Sequence, residues 1–378
     1  MRRCEELGGV SDESGCLTRT FHSPAMGRAN KLVGSWMRAA GMKVREDAAF
    51  NLIGRLASAK RGAKCVVLGS HLDTVRHAGK YDGPLGVLLG LAVADRLRGR
   101  ALPFHLEVVG FSDEEGVRYQ TTYLGSRAMC GLLPAKDLAR IEEKGLSRAR
   151  RGRGELLAYF EAHIEQGPVL EHANAPVGVV TAIAGQTRIR AEFVGRAGHA
   201  GTTPMNLRQD ALAGSAEVVL AAEKVGVIAT VGQCEVVSGA SNVIPGRVGF
   251  TLDVRDVKDA KRRGAVGKLH RVAAAVARRR GLKLRWEVIQ ETPTASMDAG
   301  LTKILRRGAG RQIRAMPSGA GHDAAVLSKV CPAAMLFVRC RGGVSHHPDE
   351  SVKTKDVAVA LDVLTAAVLE LAKRHGGG

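Results

Sequence analysis

Residues 65–83, CVVLGSHLDTVRHAGKYDG, constrain the fold more than any other stretch of this chain. The apolar run Cys65, Val66, Val67, Leu68 reads as a strand buried on both faces, and a glycine-rich polar turn follows it directly. Polar chemistry placed just after a buried strand suits an α/β sheet whose strand-end loops carry the site. His71 and Asp73 are two residues apart, so in an extended chain they project to the same side. A carboxylate there can hold the far ring nitrogen of a metal-bound imidazole. Asp82, between Tyr81 and Gly83, lies where a turn can aim its carboxylate back at the same point.

Strand and helix signals alternate around this segment. Residues 31–40 and 87–97 have helical spacing, and 106–111, LEVVGF, reads as another buried strand ending in the acidic cluster SDEEG. The texture changes near residue 178. Residues 187–194 and 249–254 alternate polar and apolar side chains, 210–225 and 258–279 are helical, and 284–288 closes with a strand. That order, β-α-β-α-β, describes a small α+β layer. After Pro293 the buried pattern returns, with a strand at 334–338 and a last amphipathic helix at 357–372, before a tail at 376–378 expected to fray. The expected organisation is one catalytic domain, residues 1–178 and 293–378, interrupted by an inserted domain at 179–292.

Composition limits the partners. The 378 residues are 45% hydrophobic, enough for ordinary cores, and carry a net charge of +19. Basic runs at 148–153, 261–263 and 278–280 raise the question of nucleic acid. They are scattered, aromatic residues make up only 4%, and no zinc-finger spacing occurs, so the positive field is read as attracting anionic small substrates instead. The seven cysteines include no CxxC pair, and no apolar signal core or membrane-length run is present; the expectation is a soluble, cytoplasmic protein.

Three further segments carry chemistry. In FSDEEG, residues 111–116, consecutive acids repel unless a cation neutralises them, and adjacent side chains diverge, so Glu115 could bind a metal while Glu114 reaches its water. His163 lies in FEAHIEQG among apolar neighbours, and GGVSHHPDE presents His346 and His347 after a buried strand. Two borderline divalent ions sharing one carboxylate need close to this set of histidines and acids.

The ordered motifs GSHLDTV, AGKYDG, FSDEEGVRY, HIEQGPVLE, GHAGTTPMNLRQDA, SNVIPG, DVRD, SGAGHDA and FVRCRGGVSHHPDE resemble the di-metal amidohydrolases of the aminoacylase/carboxypeptidase clan. The resemblance runs from about residue 19 to 372 and is strongest to the allantoate amidohydrolase and N-carbamoyl-amino-acid hydrolase branch. It implies an α/β, di-metal exopeptidase-like catalytic domain with an inserted α+β lid or dimerisation domain. It also implies two divalent ions, Mn²⁺ or Zn²⁺, one held by His71 and His163 and the other by Glu115 and His346. Asp82 would bridge them and Asp73 would orient His71. Glu114 matches the general acid/base that takes a proton from the attacking water and delivers it to the leaving nitrogen. His199 resembles a histidine that acts across a homodimer interface on the tetrahedral oxyanion. Asn242 and Arg255, and more remotely Gln186 and residues 318–323, match positions that bind the substrate's carboxylate end, while His347 is expected to be exposed and without a role. The implied reaction is hydrolysis of allantoate, releasing ammonia and carbon dioxide, suggested by residues 182–188 and 337–343. The alternative is an N-carbamoyl-L-amino acid or 3-ureidopropionate. Every one of these is a small anionic ureido compound, so Arg255 does not separate them.

Overall fold

The computed structural model describes residues 1–378 except 142, 153, 309–312, 377 and 378. Residue 153 of the first basic run and the last two glycines of the tail therefore lie outside the described residues. The chain divides into two compact units, Met1–Ala182 with Ser296–Gly378, and Ile183–Ala295. The boundaries differ by a few residues from those expected at 179 and 292. Strand Val177–Ile183 pairs antiparallel with Ala333–Val338, which ties it to the first unit's sheet. At the other end, Thr294 accepts from Gly185 N at 3.1 Å and donates to Asp259, which holds it in the second unit.

Among the described residues the first unit contains a nine-stranded sheet. At its centre His105–Phe111, Cys65–His71, Leu156–Ile164 and Ala333–Val338 lie side by side and all run parallel. Strand Cys65–His71 is buried along its whole length, as a parallel strand covered on both faces must be. The chain then turns at Gly83 and enters helix Pro84–Arg96, where Pro84 takes the first-turn position that needs no N–H donor. This helix is apolar nearly all round because it touches three of the parallel strands and also the C-terminal helix Thr354–Gly376. Leu85, Val87, Leu89 and Leu91 are fully enclosed, each contributing about 1.5–3 kcal/mol by burial. Parallel neighbours deliver their C-terminal ends to one edge of the sheet, and that edge positions the site.

The second unit is a four-stranded antiparallel sheet in the order Lys283–Thr292, Gly185–Val194, Arg247–Asp256, Ile228–Val236. Ile189, Phe193, Val248, Phe250 and Leu252 pack against Val218, Leu269 and Val276 from helices Ala211–Glu223 and Asp259–Arg280. Within that four-stranded sheet one strand exceeds the expected β-α-β-α-β order: Ile228–Val236, an edge strand with no buried residue. Only Ala229, Val231 and Val236 turn partly inward onto the core, and the exposed residues 232–235 interrupt the alternation, so the strand carries no clean period-two signal.

Candidate metal centre

Each parallel strand contributes at its C-terminal end. His71 is the last residue of Cys65–His71, and His163 is the penultimate residue of Leu156–Ile164. The turn Ser112–Glu115 follows Phe111, and the loop bearing His346 follows Val338. These bring His71, Asp73, Asp82, Glu114, Glu115, His163 and His346 together in the first unit. Asp82 is the focus. Its Oδ1 lies 3.1 Å from His163 Nε2 and 3.5 Å from His71 Nε2, and its Oδ2 lies 3.2 Å from His346 Nε2. His346 Nε2 is also 3.3 Å from Glu115 Oε1. Three donor groups result, His71–Asp82–His163, Asp82–Glu115–His346 and His71–Glu114–Glu115, the first two sharing Asp82.

The outward ring nitrogens show what the inner ones can do. His71 Nδ1 lies 3.0 Å from the carbonyl of Asp73, and His163 Nδ1 lies 2.9 Å from the carbonyl of Ile164. A carbonyl only accepts, so both Nδ1 atoms carry hydrogen, and release of the Nε2 protons, now shared with Asp82, would leave each ring with an Nε2 lone pair. Those two Nε2 atoms stand 3.5 Å apart in a buried site beside one carboxylate oxygen. Two lone pairs and an anion converging on one point suit a cation, and the mixed imidazole/carboxylate set suits a borderline divalent ion.

Electrostatics agree. Burial opposes ionisation of Asp82, but hydrogen bonds with His163, His346 and His71 outweigh it and hold the carboxyl well below its ordinary value. Burial likewise lowers His71, yet Asp82, Glu114 and Asp73 raise it well above the ordinary imidazole value. The surrounding negative charge thus draws positive charge to this position. Glu114 is pushed well above the carboxylate range by burial, against the opposing pull of His71.

Asp73 behaves differently from the expected side-chain clamp. Its carboxylate is 3.8 Å from His71 Nδ1, beyond hydrogen-bond reach, and the ring is held by its carbonyl instead. The carboxylate oxygens accept from the backbone N–H groups of Glu114 and Glu115, at 3.2 Å each, and fix the acidic turn. Gly83 is required where it stands: its φ is +81°, and a Cβ there would lie 2.4 Å from the His71 ring.

Gln166, Ser345 and Glu350, which complete the cluster, were not singled out from sequence, while His322 and Ser318 belong to the expected segment 318–323. Gln166 and Ser345 donate to Asp82 Oδ2 at 2.8 and 2.6 Å. Glu350 accepts from the backbone N–H of Tyr81, Asp82 and His346, so one buried carboxylate pins both loops. His322 stacks its ring 4.4 Å from that of His163 and meets Ser318 Oγ at 3.0 Å. Gln166 and Glu350 sit inside HIEQG and HHPDE, but acids and amides of this kind are ordinarily solvated, so only tertiary contact reveals them. His347 is exposed, with Asp349 as its partner.

In the second unit the candidates form two pairs. His199 and Asn242 meet through the short ladder Gly198–His199 with Val243–Ile244, where Ala200 N donates to Asn242 O at 2.9 Å. Gln186 and Arg255 are directly opposite on neighbouring strands. Gln186 donates to Asp253 Oδ2 at 2.6 Å, and Arg255 grips both oxygens of Asp253, at 2.8 and 3.0 Å.

Peptidase family M20/M25/M40 matches residues 67–370. An N-carbamoyl-L-amino acid amidohydrolase of Geobacillus stearothermophilus is 40% identical over 98% of this chain and 98% of its own length. Allantoate deiminase 2 of Glycine max is 37% identical over 97% of this chain and 88% of its own. The crystal structure of a hydantoinase/carbamoylase family amidase from Burkholderia multivorans superposes with a TM-score of 0.92 at 33% identity, covering 98% of this chain and 96% of that one.

Proposed function

The chain belongs to peptidase family M20/M25/M40 and is a metal-dependent hydrolase of non-peptide C–N bonds, and on that premise we propose that it hydrolyses the ureido group of allantoate. The products would be ureidoglycine, or its breakdown product ureidoglycolate, with ammonia and carbon dioxide. The observation that carries the reaction type is Asp82, whose two oxygens face separate histidines. His71, Asp82 and His163 would hold one divalent ion, and Asp82, Glu115 and His346 the other; manganese and zinc both suit these donors. Bound there, the ions supply the positive charge that lowers the pKa of water and polarises a carbonyl.

The chain's own residues do the rest. Glu114, buried beside the donor groups, takes a proton from the attacking water and passes it to the leaving nitrogen. Asp73 keeps Glu114 and Glu115 in register by accepting their backbone N–H groups. His199 Nδ1 accepts from Gly201 N at 3.1 Å, which places the neutral ring's proton on Nε2 as a donor for a tetrahedral oxyanion. Asn242, Arg255 and Gln186 bind the substrate's carboxylate end, with Asp253 holding the guanidinium and the amide in place. A second copy of the chain completes the working unit. The open edge strand Ile228–Val236 and the exposed Leu212 and Leu220 on helix Ala211–Glu223 offer an apolar face for it. The seven unpaired cysteines suit a reducing compartment such as the cytoplasm, and no helix among the described residues is long and apolar enough to cross a membrane.

A second reading has its own support. The 40% identical relative is an N-carbamoyl-L-amino acid amidohydrolase, and such a substrate has the same ureido and carboxylate groups. Protein reconstituted with Mn²⁺ and, separately, Zn²⁺ is assayed for ammonia release from allantoate, N-carbamoyl amino acids and 3-ureidopropionate. Fastest kcat/KM on allantoate supports the first reading, and fastest on an N-carbamoyl amino acid replaces it with the second. Hydrolysis of none would overturn both.

A further inference from the structure

Away from this cluster, the turn of residues 13–16 and the loop bearing His77 face each other. We propose that Glu13, Cys16 and His77 form a separate zinc site that clamps the N-terminal segment to the loop bearing Asp73 and Asp82. Glu13 Oε2 lies 3.4 Å from Cys16 Sγ and 3.3 Å from His77 Nε2, so a sulfur and a nitrogen approach the same oxygen. Tetrahedral zinc, with bonds of about 2.0–2.3 Å, separates its oxygen from its nitrogen and sulfur ligands by roughly 3.3–3.6 Å. The three ligand atoms lie within 4.8 Å of one another, the spread that one ion spans. Thiolate, imidazole and carboxylate together favour zinc over magnesium or calcium, and solvent would supply the fourth ligand.

The backbone holds this arrangement on both sides. Ser11 Oγ accepts from Glu13 N and Thr18 N, at 3.1 and 2.9 Å, and donates to Cys16 O at 2.7 Å, which shapes the turn. Across the gap, Ala78 N donates to Leu17 O and Thr74 N to Arg19 O, both at 2.8 Å, while His77 N donates to Thr18 Oγ1 at 3.1 Å. Arg76 engages only Glu13 Oε1, leaving Oε2 directed at the other two ligands. Cys16 donates its thiol hydrogen to Glu13, and that proton passes to solvent when the cation binds.

Cobalt(II) reports the site independently of turnover, because a thiolate–cobalt bond gives an intense near-ultraviolet charge-transfer band. The other candidate groups in the described chain contain only His, Asp and Glu and are silent at that band. The full chain is titrated with Co²⁺, then with Zn²⁺ as competitor. The expected result is a band that saturates at one equivalent of thiolate site per chain, is displaced by zinc and is absent in Cys16→Ser. It persists in Cys234→Ser, which removes the exposed cysteine. His77→Asn, an exposed change with little bearing on folding, should weaken cobalt binding by roughly tenfold or more. No band in the wild-type chain, a band surviving Cys16→Ser, or unchanged affinity in His77→Asn would each overturn the assignment.

Discussion

In the unit built on the nine-stranded sheet, the candidate side chains meet at strand ends and five of them, His71, Asp73, Asp82, Glu114 and His163, are buried. In the inserted unit, His199 and Asn242 stand exposed on a two-residue ladder, and Arg255 and Gln186 reach out from an antiparallel sheet onto Asp253. The first arrangement places opposite charges close together in low dielectric, where each strongly perturbs the next. The second leaves its groups open or half-open to solvent. Under the proposed function, burial would suit groups that hold cations and move a proton, and exposure would suit groups that meet a soluble substrate or a second subunit.

The largest expected effect tests the buried unit. Glu114→Gln keeps shape but removes the exchangeable proton, so kcat should fall by about 10²–10⁴-fold or more while bound metal is retained. Metal loss measured by elemental analysis would instead make Glu114 a ligand and exchange its role with that of Glu115. Next comes the exposed unit. His199→Ala should lower kcat by roughly 10²–10³-fold, the usual consequence of losing one oxyanion donor, with no change in metal content. Mixing His199→Ala with Glu114→Gln chains should restore part of the activity if His199 serves the partner subunit's site. No recovery would confine it to its own chain.

A third change breaks the packing that makes the buried unit possible. Gly83→Ala forces a Cβ into the His71 ring at a backbone angle that L residues resist, so it should cost about 1–3 kcal/mol in thermal stability. It should weaken metal retention as well, and an unchanged melting temperature would show that His71 has room to move. The smallest effect concerns pH in metal-free protein. Burial and the neighbouring Asp73 push the Asp113 carboxyl up to about 8. Between roughly 4 and 8 the folded form therefore binds more protons than the unfolded one, and stability falls as pH rises through that window. Asp113→Asn should flatten that slope in a melting-temperature profile. Asp253 has the opposite sign: burial raises it, but Arg255 outweighs this and holds it below its ordinary value. Its contribution is present above the ordinary value and is lost as pH falls through the folded one, so Asp253→Asn should matter least in acid. Equal slopes for both variants would remove the contrast between the units.

Legibility followed the same division. The strands Cys65–His71, His105–Phe111 and Ala333–Val338 were readable because strands covered on both faces leave unbroken apolar runs. The edge strand Ile228–Val236 was not, since the exposed residues 232–235 break the alternation that Ala229 and Val231 begin. His71, Asp82, Glu115, His163 and His346 were readable as a ligand-like set from residue type and motif, whereas Gln166, Ser345 and Glu350 were not, because nothing local separates a carboxylate that pins two loops from a solvated one.

The sequence by itself determined the α/β alternation, the presence of an inserted α+β layer, and which residue types arrive at strand ends. Local periodicity and motif spacing encode these directly. The tertiary structure alone decided that Asp82 turns one oxygen to each histidine group, and that the Asp73 carboxylate clamps the acidic turn while its carbonyl holds the His71 ring. It also decided that Glu350, 268 residues beyond Asp82, holds that residue's backbone. These outcomes depend on distances between segments far apart in the chain, and such distances exist only once parallel strands have brought their ends to one edge.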